Sequence, residues 1–556
     1  MLSPRKRYLY TPLDGIREEI RLLELVPGRA EQPIEVRLQR VSLQSAPRYT
    51  ALSYCWGDPS DPIPIYIDAG RLDISQNLWH CLYHLRDENQ PLTLWVDALC
   101  IDQQNFEERN NQVLLMASIY SMAETVIAWL GPETQSSQRG IDCLNNNASL
   151  ISKEYNSTSH NMAHNLFAKG IMKVLAEDLL ARSYWTRVWI FQEILSAKEL
   201  KILCGTSTID FNILAAAVKI YSRSLVTSTL ASSGNTLGRK AIHTRLEQLL
   251  DLDGMRKSYQ TKKLDIFSLL AKYGDQRTTD PRDKVFALLG LATDDSSGTL
   301  LPDYAKSWEE VYIETARHII KRNRTLTILS MAGAFSERST ELPSWVPDWR
   351  SKQSSNSLFQ SGMPRSFGIR FSAAGQSRVS VSFSADSKCL EVDGLSVDEI
   401  MTVTSPLVLD SANAFSSFIT TAMKQALYWG DDFYRNGEDI RASVYKTLCA
   451  DIDWRGERCS MGETFWEIFS PGYSTVPADY RPEDSESRRL DMLRREMLSV
   501  VLAVNHERSF ITTENRFIGL VPASARPGDE VCIFFGSEVP FVLRRFGDNY
   551  ILIGEW

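Results

Sequence analysis

The residues best suited to chemistry lie in one run, Tyr184-Trp185-Thr186-Arg187-Val188-Trp189-Ile190-Phe191-Gln192-Glu193. Trp185, Trp189 and Glu193 stand at i, i+4, i+8, a spacing that predicts a helix with two indoles and a carboxylate along one slightly drifting stripe. An indole face stacks planar rings. A carboxylate beside it can hydrogen-bond sugar hydroxyls and stabilise an oxocarbenium-like transition state. The same spacing also serves plain packing, because aromatic residues at helical intervals are mostly core and a glutamate at their end mostly meets solvent or caps a backbone group.

The elements that must position these groups are clearest from Leu94 to Gly131, LWVDALCIDQQNFEERNNQVLLMASIYSMAETVIAWLG. It reads as strand, loop, amphipathic helix and second strand, a βαβ unit with Val113, Met116, Ala117 and Tyr120 on the helix's apolar stripe. Asp97 then sits at the end of a buried strand, where open α/β sheets place their ligands, although capping the loop backbone is the commoner duty of such a residue. Upstream, Ala51 to Tyr54 reads as another strand, and Ser53, Tyr54, Trp56 and Asp58 are placed to form the opposite wall of a cleft. Arg109 and Arg187 are phosphate candidates, or plain surface charges. The fold class expected for residues 48–204 is α/β, a doubly wound, mainly parallel sheet.

Other chemistries find no foothold. His80 and His84 share a helix face away from its apolar residues, with no HExxH arrangement and no third ligand, so no metal site is expected. Neither GxGxxG nor GxSxG occurs. The net charge of −8, without a basic block, argues against nucleic acid as a partner. No apolar run approaches the roughly 18 residues needed to span a bilayer, and the N-terminus lacks an apolar leader, so a cytoplasmic chain is expected. Nine cysteines without CxxC spacing fit reduced thiols.

Along the chain, residues 1–47 read as a lead-in with one hairpin, Ile20 to Leu25 and Ile34 to Val41. Residues 132–165, rich in Ser, Asn, Gln and Thr, read as a surface loop inside the 48–204 domain. Residues 205–350 are expected to be helical, with Asp280 as an N-cap before Pro281 and a capping box at Ser307 to Glu310. A Ser-rich linker spans 351–370. Residues 371–556 are expected to be mixed α/β and to end in a meander, Glu530 to Phe535, Val539 to Arg544 and Tyr550 to Ile553.

Several of these motifs also carry a resemblance. Tyr49-Thr50-Ala51-Leu52-Ser53-Tyr54-Cys55-Trp56-Gly57 resembles the opening motif of the fungal heterokaryon incompatibility (HET) domain family, and Trp95-Val96-Asp97-Ala98-Leu99-Cys100-Ile101-Asp102-Gln103 resembles its central one. Glu108-Arg109, Gln112-Val113, Met116, Ile119-Tyr120 and Trp129-Leu130-Gly131 continue the pattern at the family's spacing. Arg182 to Ala197, Asp280 to Ala292, Leu342 to Trp349 and Arg516 to Glu555 resemble segments common downstream of a HET domain. In relatives the chain usually runs on past Gly554-Glu555, so the last strand reads as incomplete.

The resemblance implies a role in non-self recognition that triggers programmed cell death. The family is similar, more distantly, to TIR domains, flavodoxin-like modules that in several branches cleave NAD. That similarity implies Glu193 as catalytic residue, with Ser53, Tyr54, Trp56, Asp58, Asp97, Arg109, Trp185, Arg187 and Trp189 around the substrate. It implies NAD as substrate, no resident cofactor, self-association through the domain, and an incompatibility partner that the sequence does not identify. A non-enzymatic interaction module and an inactive relative are the competing readings.

Overall fold

A computed structural model describes residues 7–556 except 59, 69, 156–169, 229–235, 260–263, 275, 294–298, 334–338, 352–370, 408–411, 429, 431–433, 436, 452–457, 460–499 and 503. The Ser-rich linker expected at 351–370 therefore lies almost wholly outside the described residues. The chain divides into two compact units, Met1–Leu270 with Gln276–Lys306, and Ala271–Asp275 with Ser307–Trp556.

The first unit is built on a nine-stranded mixed sheet: β1 (Glu19–Leu25), β2 (Glu35–Ser42), β3 (Thr50–Tyr54), β4 (Ile63–Ile67), β5 (Gly70–Ile74), β6 (Leu92–Trp95), β7 (Thr125–Trp129), β8 (Leu200–Cys204) and β9 (Ser207–Asp210), ordered β5-β4-β2-β1-β6-β3-β7-β8-β9. Its centre, β6-β3-β7-β8, is parallel. Antiparallel pairs flank it, β1 on β6 and β9 on β8. The expected βαβ unit forms, with β3 lying between its two strands. The expected hairpin also forms, and its first strand extends this sheet instead of standing apart. Leu52, Val126 and Ile202 are fully buried, and each such side chain contributes about 1.5–3 kcal/mol.

Helix Phe106–Met122 starts at Asn105, whose side chain accepts from Glu108 N at 3.2 Å. Its buried face carries Val113, Met116, Ile119 and Tyr120, and also the polar Glu108 and Gln112. Glu108 can be buried because it is paired, and the Gln112 amide nitrogen donates to Glu19 O at 2.8 Å. Arg21, on β1, donates to Glu108 at 2.6 and 2.9 Å, and also to Cys100 O and Thr11 O. Glu108 accepts in addition from Asp102 N at 2.7 Å. One buried ion pair thus fixes the loop that leaves β6.

Three expectations are corrected. Strand β6 stops at Trp95, and Asp97 opens a one-turn helix, Asp97–Cys100, because its carboxylate accepts from Ala98 N at 2.7 Å. Residues 135–155 are two helices, Gln135–Asn146 and Ala148–Tyr155, where a loop was expected; Thr134 and Ser137 make a reciprocal cap, and Ile141, Leu144 and Ile151 supply a buried stripe within the polar composition. Helix Asp283–Leu289 begins three residues after Asp280, which instead accepts from Arg282 N and closes a turn.

In the second unit, helix Trp308–Asn323 begins at the expected Ser307 capping box. Strands β10 (Val381–Phe383) and β11 (Leu390–Val392) pair by themselves. Strands β12 (Gly394–Val403), β13 (Arg508–Thr513), β14 (Ile518–Pro522), β15 (Glu530–Phe534), β16 (Phe541–Phe546) and β17 (Asn549–Glu555) form an antiparallel sheet ordered β14-β13-β12-β15-β16-β17. The expected meander is its last three strands. A Cβ on Gly554 would lie 2.6 Å from Pro522 Cγ, so the two edge strands meet and the sheet curls into a half-barrel. Arg508 and Glu555 form a buried ion pair across it. Among the described residues no helix is long and apolar enough to cross a membrane.

Candidate functional site

Counted along the chain, the parallel strands β3, β6, β7 and β8 lie in the order second, first, third, fourth. The direction of winding therefore reverses between β3 and β7, and the ends of those strands open a crevice where loops diverge. Ser53 and Tyr54 close β3 at that point, opposite Ala128 and Trp129 of β7. Ser53 is fully buried, and its Oγ donates to Glu193 Oε2 and meets the Tyr184 hydroxyl at 2.6 Å. A Tyr184–Ser53–Glu193 relay results, in which the Tyr184 hydroxyl donates to Ser53 while Ser53 donates to Glu193.

Glu193 arrives there on helix Ile190–Ser196 and is only 2% exposed. Arg187 Nη1 lies 3.9 Å from its carboxylate and donates to Tyr54 O. Burial raises the Glu193 pKa to about 7, with the nearby Asp97 adding to the rise and Arg187 and Ser53 opposing it. Asp97 keeps some accessible surface, yet its carboxylate is hemmed in, and that desolvation pushes its pKa above the ordinary range. Its Oδ2 accepts from the Trp56 indole at 2.6 Å. Two acids share one guanidinium, so one of them holds a proton near neutrality.

The structure thus brings together Ser53, Tyr54, Trp56, Asp97, Arg187 and Glu193. Other sequence-predicted residues lie elsewhere. Asp58 is exposed and turned onto Ser60 N at 2.8 Å. Arg109 lies over the Tyr304 ring at 3.5 Å and 3.9 Å from both Asp280 and Asp283. The expected indole stripe is not formed. Ser183–Thr186 is a 3₁₀ turn and Arg187 is extended (φ −82°, ψ 139°), so the helix starts only after Trp189. The Trp185 indole donates to Leu179 O at 2.7 Å and that of Trp189 to Asp283 at 3.0 Å. Extending Arg187 lets its guanidinium reach the end of β3, which a continuous helix would prevent.

Three residues were missed. Tyr184 and Tyr120 wall the carboxylate, and burial, with Glu193 next in effect, raises both phenols well above their usual pKa. Asn77 ties Cys55 O (2.6 Å) to the Trp129 indole (2.9 Å), holding the loop that carries Trp56. Tyr184 and Tyr120 stood inside motif segments; Asn77 carried no signal, since its bonds are made to distant residues.

This cluster coincides with a family signature. Residues 49–193, running from just before β3 to Glu193 itself, match the family described as Heterokaryon incompatibility protein (HET). The chain carries a HET domain. Residues 485–556 match the family described as Het-6 beta-barrel domain, in agreement with the curled sheet there. Across both domains the chain is similar to Heterokaryon incompatibility protein 6, OR allele, of Neurospora crassa, at 25% identity over 96% of this chain and 92% of that protein. No solved structure matches the chain. Within the HET domain, the Ser53–Glu193 contact joins the first motif to the last matched residue.

Proposed function

We propose that the chain acts in heterokaryon incompatibility, as a fungal non-self recognition protein, and that its HET domain triggers cell death by TIR-like cleavage of NAD at the nicotinamide bond. The observation that carries the reading is a buried glutamate, titrating at about 7 and bonded to Ser53, at the carboxyl end of a central parallel strand. The strand order supports it, being that of flavodoxin-like sheets, which bind ligands at such a reversal. The bond from ribose to nicotinamide breaks with its electron pair leaving on the neutral base. Glu193, ionised, stabilises the cationic sugar that water then traps, and Asp97 and Arg187 bracket the remaining polar groups.

With Glu193 nearly inaccessible and both indoles engaged, the described arrangement is a resting state. Self-association of the domain is the proposed trigger, with the remaining regions acting as sensor or restraint. The same burial favours a second reading, in which the cluster only holds the fold and the domain signals through contacts. Nicotinamide release by the purified full chain at high concentration separates the two. Release that falls about 10²-fold or more in Glu193→Gln is expected, the loss typical of one preorganised electrostatic contact. Cell death without NAD loss, equal in the Gln variant, favours the second reading.

A further inference from the structure

Helix Ile190–Ser196 is short, and the extended link that leads into it is held from outside residues 49–193. Arg277 pairs with that link: its N donates to Thr186 O at 2.6 Å and its O accepts from Val188 N at 3.2 Å. Six residues on, Asp283 is buried, with Oδ2 accepting from the Trp189 indole at 3.0 Å and Oδ1 from the Tyr304 hydroxyl at 2.6 Å. Trp189 is the residue on which the helix starts, and its carbonyl accepts from Glu193 N at 3.2 Å.

The support behind Asp283 is itself fixed. Arg282 pairs with Asp280 at 2.8 Å and donates to Tyr304 O and Lys306 O, and Arg109 covers the Tyr304 ring. Charged and hydrogen-bonded groups therefore hold residues 277–283 on one side and residues 186–189 on the other. We propose that Asp283 is a positioning residue for Glu193: by fixing the Trp189 indole it sets the start of helix Ile190–Ser196 and so the aim of the glutamate at Ser53. The segment Gln276–Lys306 is then a built part of the HET site, although the family match ends at Glu193.

The catalytic meaning of this aim rests on the NAD-cleavage reading, but the positioning can be tested without it. The titratable and charged groups acting on Glu193 are Arg187, Asp97, Tyr120, Tyr184 and Cys55, whereas Asp280, Arg109, Arg282 and Tyr304 are those acting on Asp283. A change at Asp283 must therefore reach Glu193 through the helix. The experiment measures unfolding of the full chain against pH, with and without E193Q; the difference between the two curves reports the protonation of Glu193 alone.

In the D283N background the folded-state titration midpoint, read as the upper pH at which that difference levels off, is expected to fall by at least one pH unit from about 7, as the glutamate loosens from its burial. Trp189→Phe, which removes the indole N–H together with the five-membered ring that carries it, is expected to shift it in the same direction and decides alone if D283N does not fold. A midpoint unchanged in the folded variants, with stability lowered evenly at all pH values, overturns the proposal. Nicotinamide release is assayed in parallel, with kcat expected to drop while KM holds. If even the unmodified chain releases none while the midpoint moves, the enzymatic reading fails and the positioning stands.

Discussion

Two arginines lie in the same unit, each beside a buried glutamate, and they are paired very differently. Arg21 meets Glu108 through two short bonds, and its spare donors reach two carbonyls. Arg187 stays 3.9 Å from Glu193, spending a donor on the end of β3 while a second acid, Asp97, competes for its charge. The first is a satisfied pair, which locks geometry. The second leaves a carboxylate short of compensation, and its proton is held up to about pH 7. Burial with full pairing makes an anchor, and burial with partial pairing makes a group poised to titrate.

Breaking the anchor is expected to have the largest effect. Arg21→Met leaves the Glu108 carboxylate buried without its partner, and should cost about 3–5 kcal/mol in denaturant unfolding. A loss under about 1 kcal/mol would mean that the contrast between the pairs is false. Next comes the poised glutamate. Unfolded, it titrates near 4.5; folded, at about 7. As pH rises through that window the unfolded chain releases its proton first, so Glu193 makes stability fall, by roughly 3 kcal/mol in all, and no further above it. Glu193→Gln should match the parent near pH 4.5 and exceed it at about pH 8, and parallel curves would refute this. The smallest effect concerns the neighbour of Glu193. Neither polar atom of the Gln192 amide is hydrogen-bonded to protein, and a Cβ on Gly290 would collide with its nitrogen. Gln192→Met should stabilise by about 1 kcal/mol, read as a raised unfolding midpoint; a lowered one would show that the amide has a partner after all.

The contrast also explains what could be read from the chain. Strands β3, β7 and β15 to β17 were legible because their apolar runs and bounding turns are local. Ser53, Asp97 and Glu193 were legible as a group because each falls near the end of a strand or on the helix that closes over it. Arg21 was not, since a charge in the apolar run Glu19–Leu25 looks like a solvent-facing residue until its partner, 87 positions away, is placed. The indole stripe failed for the opposite reason. Trp185 to Glu193 has sound helical spacing, but the bond from Arg187 to Tyr54 O and the pairing of Arg277 with Thr186 and Val188 outweigh local preference and delay the helix until after Trp189. The helices at 135–155 were obscured by polar composition, although Thr134 and Ser137 are themselves a helix-start signal.

That the first unit is assembled from two stretches of chain has a consequence for its synthesis. When the ribosome has released residues up to Cys204, every strand of the parallel centre is available to pair, and Asp283 has not yet been made. Roughly a hundred more residues must emerge before Tyr304 and Lys306 can close behind it, about 5–20 s at ordinary elongation rates. A nascent or prematurely terminated chain therefore carries the glutamate without the clamp that aims it. On the proposed reading, in which the domain's activity harms the cell that makes it, the order of translation is itself a safeguard.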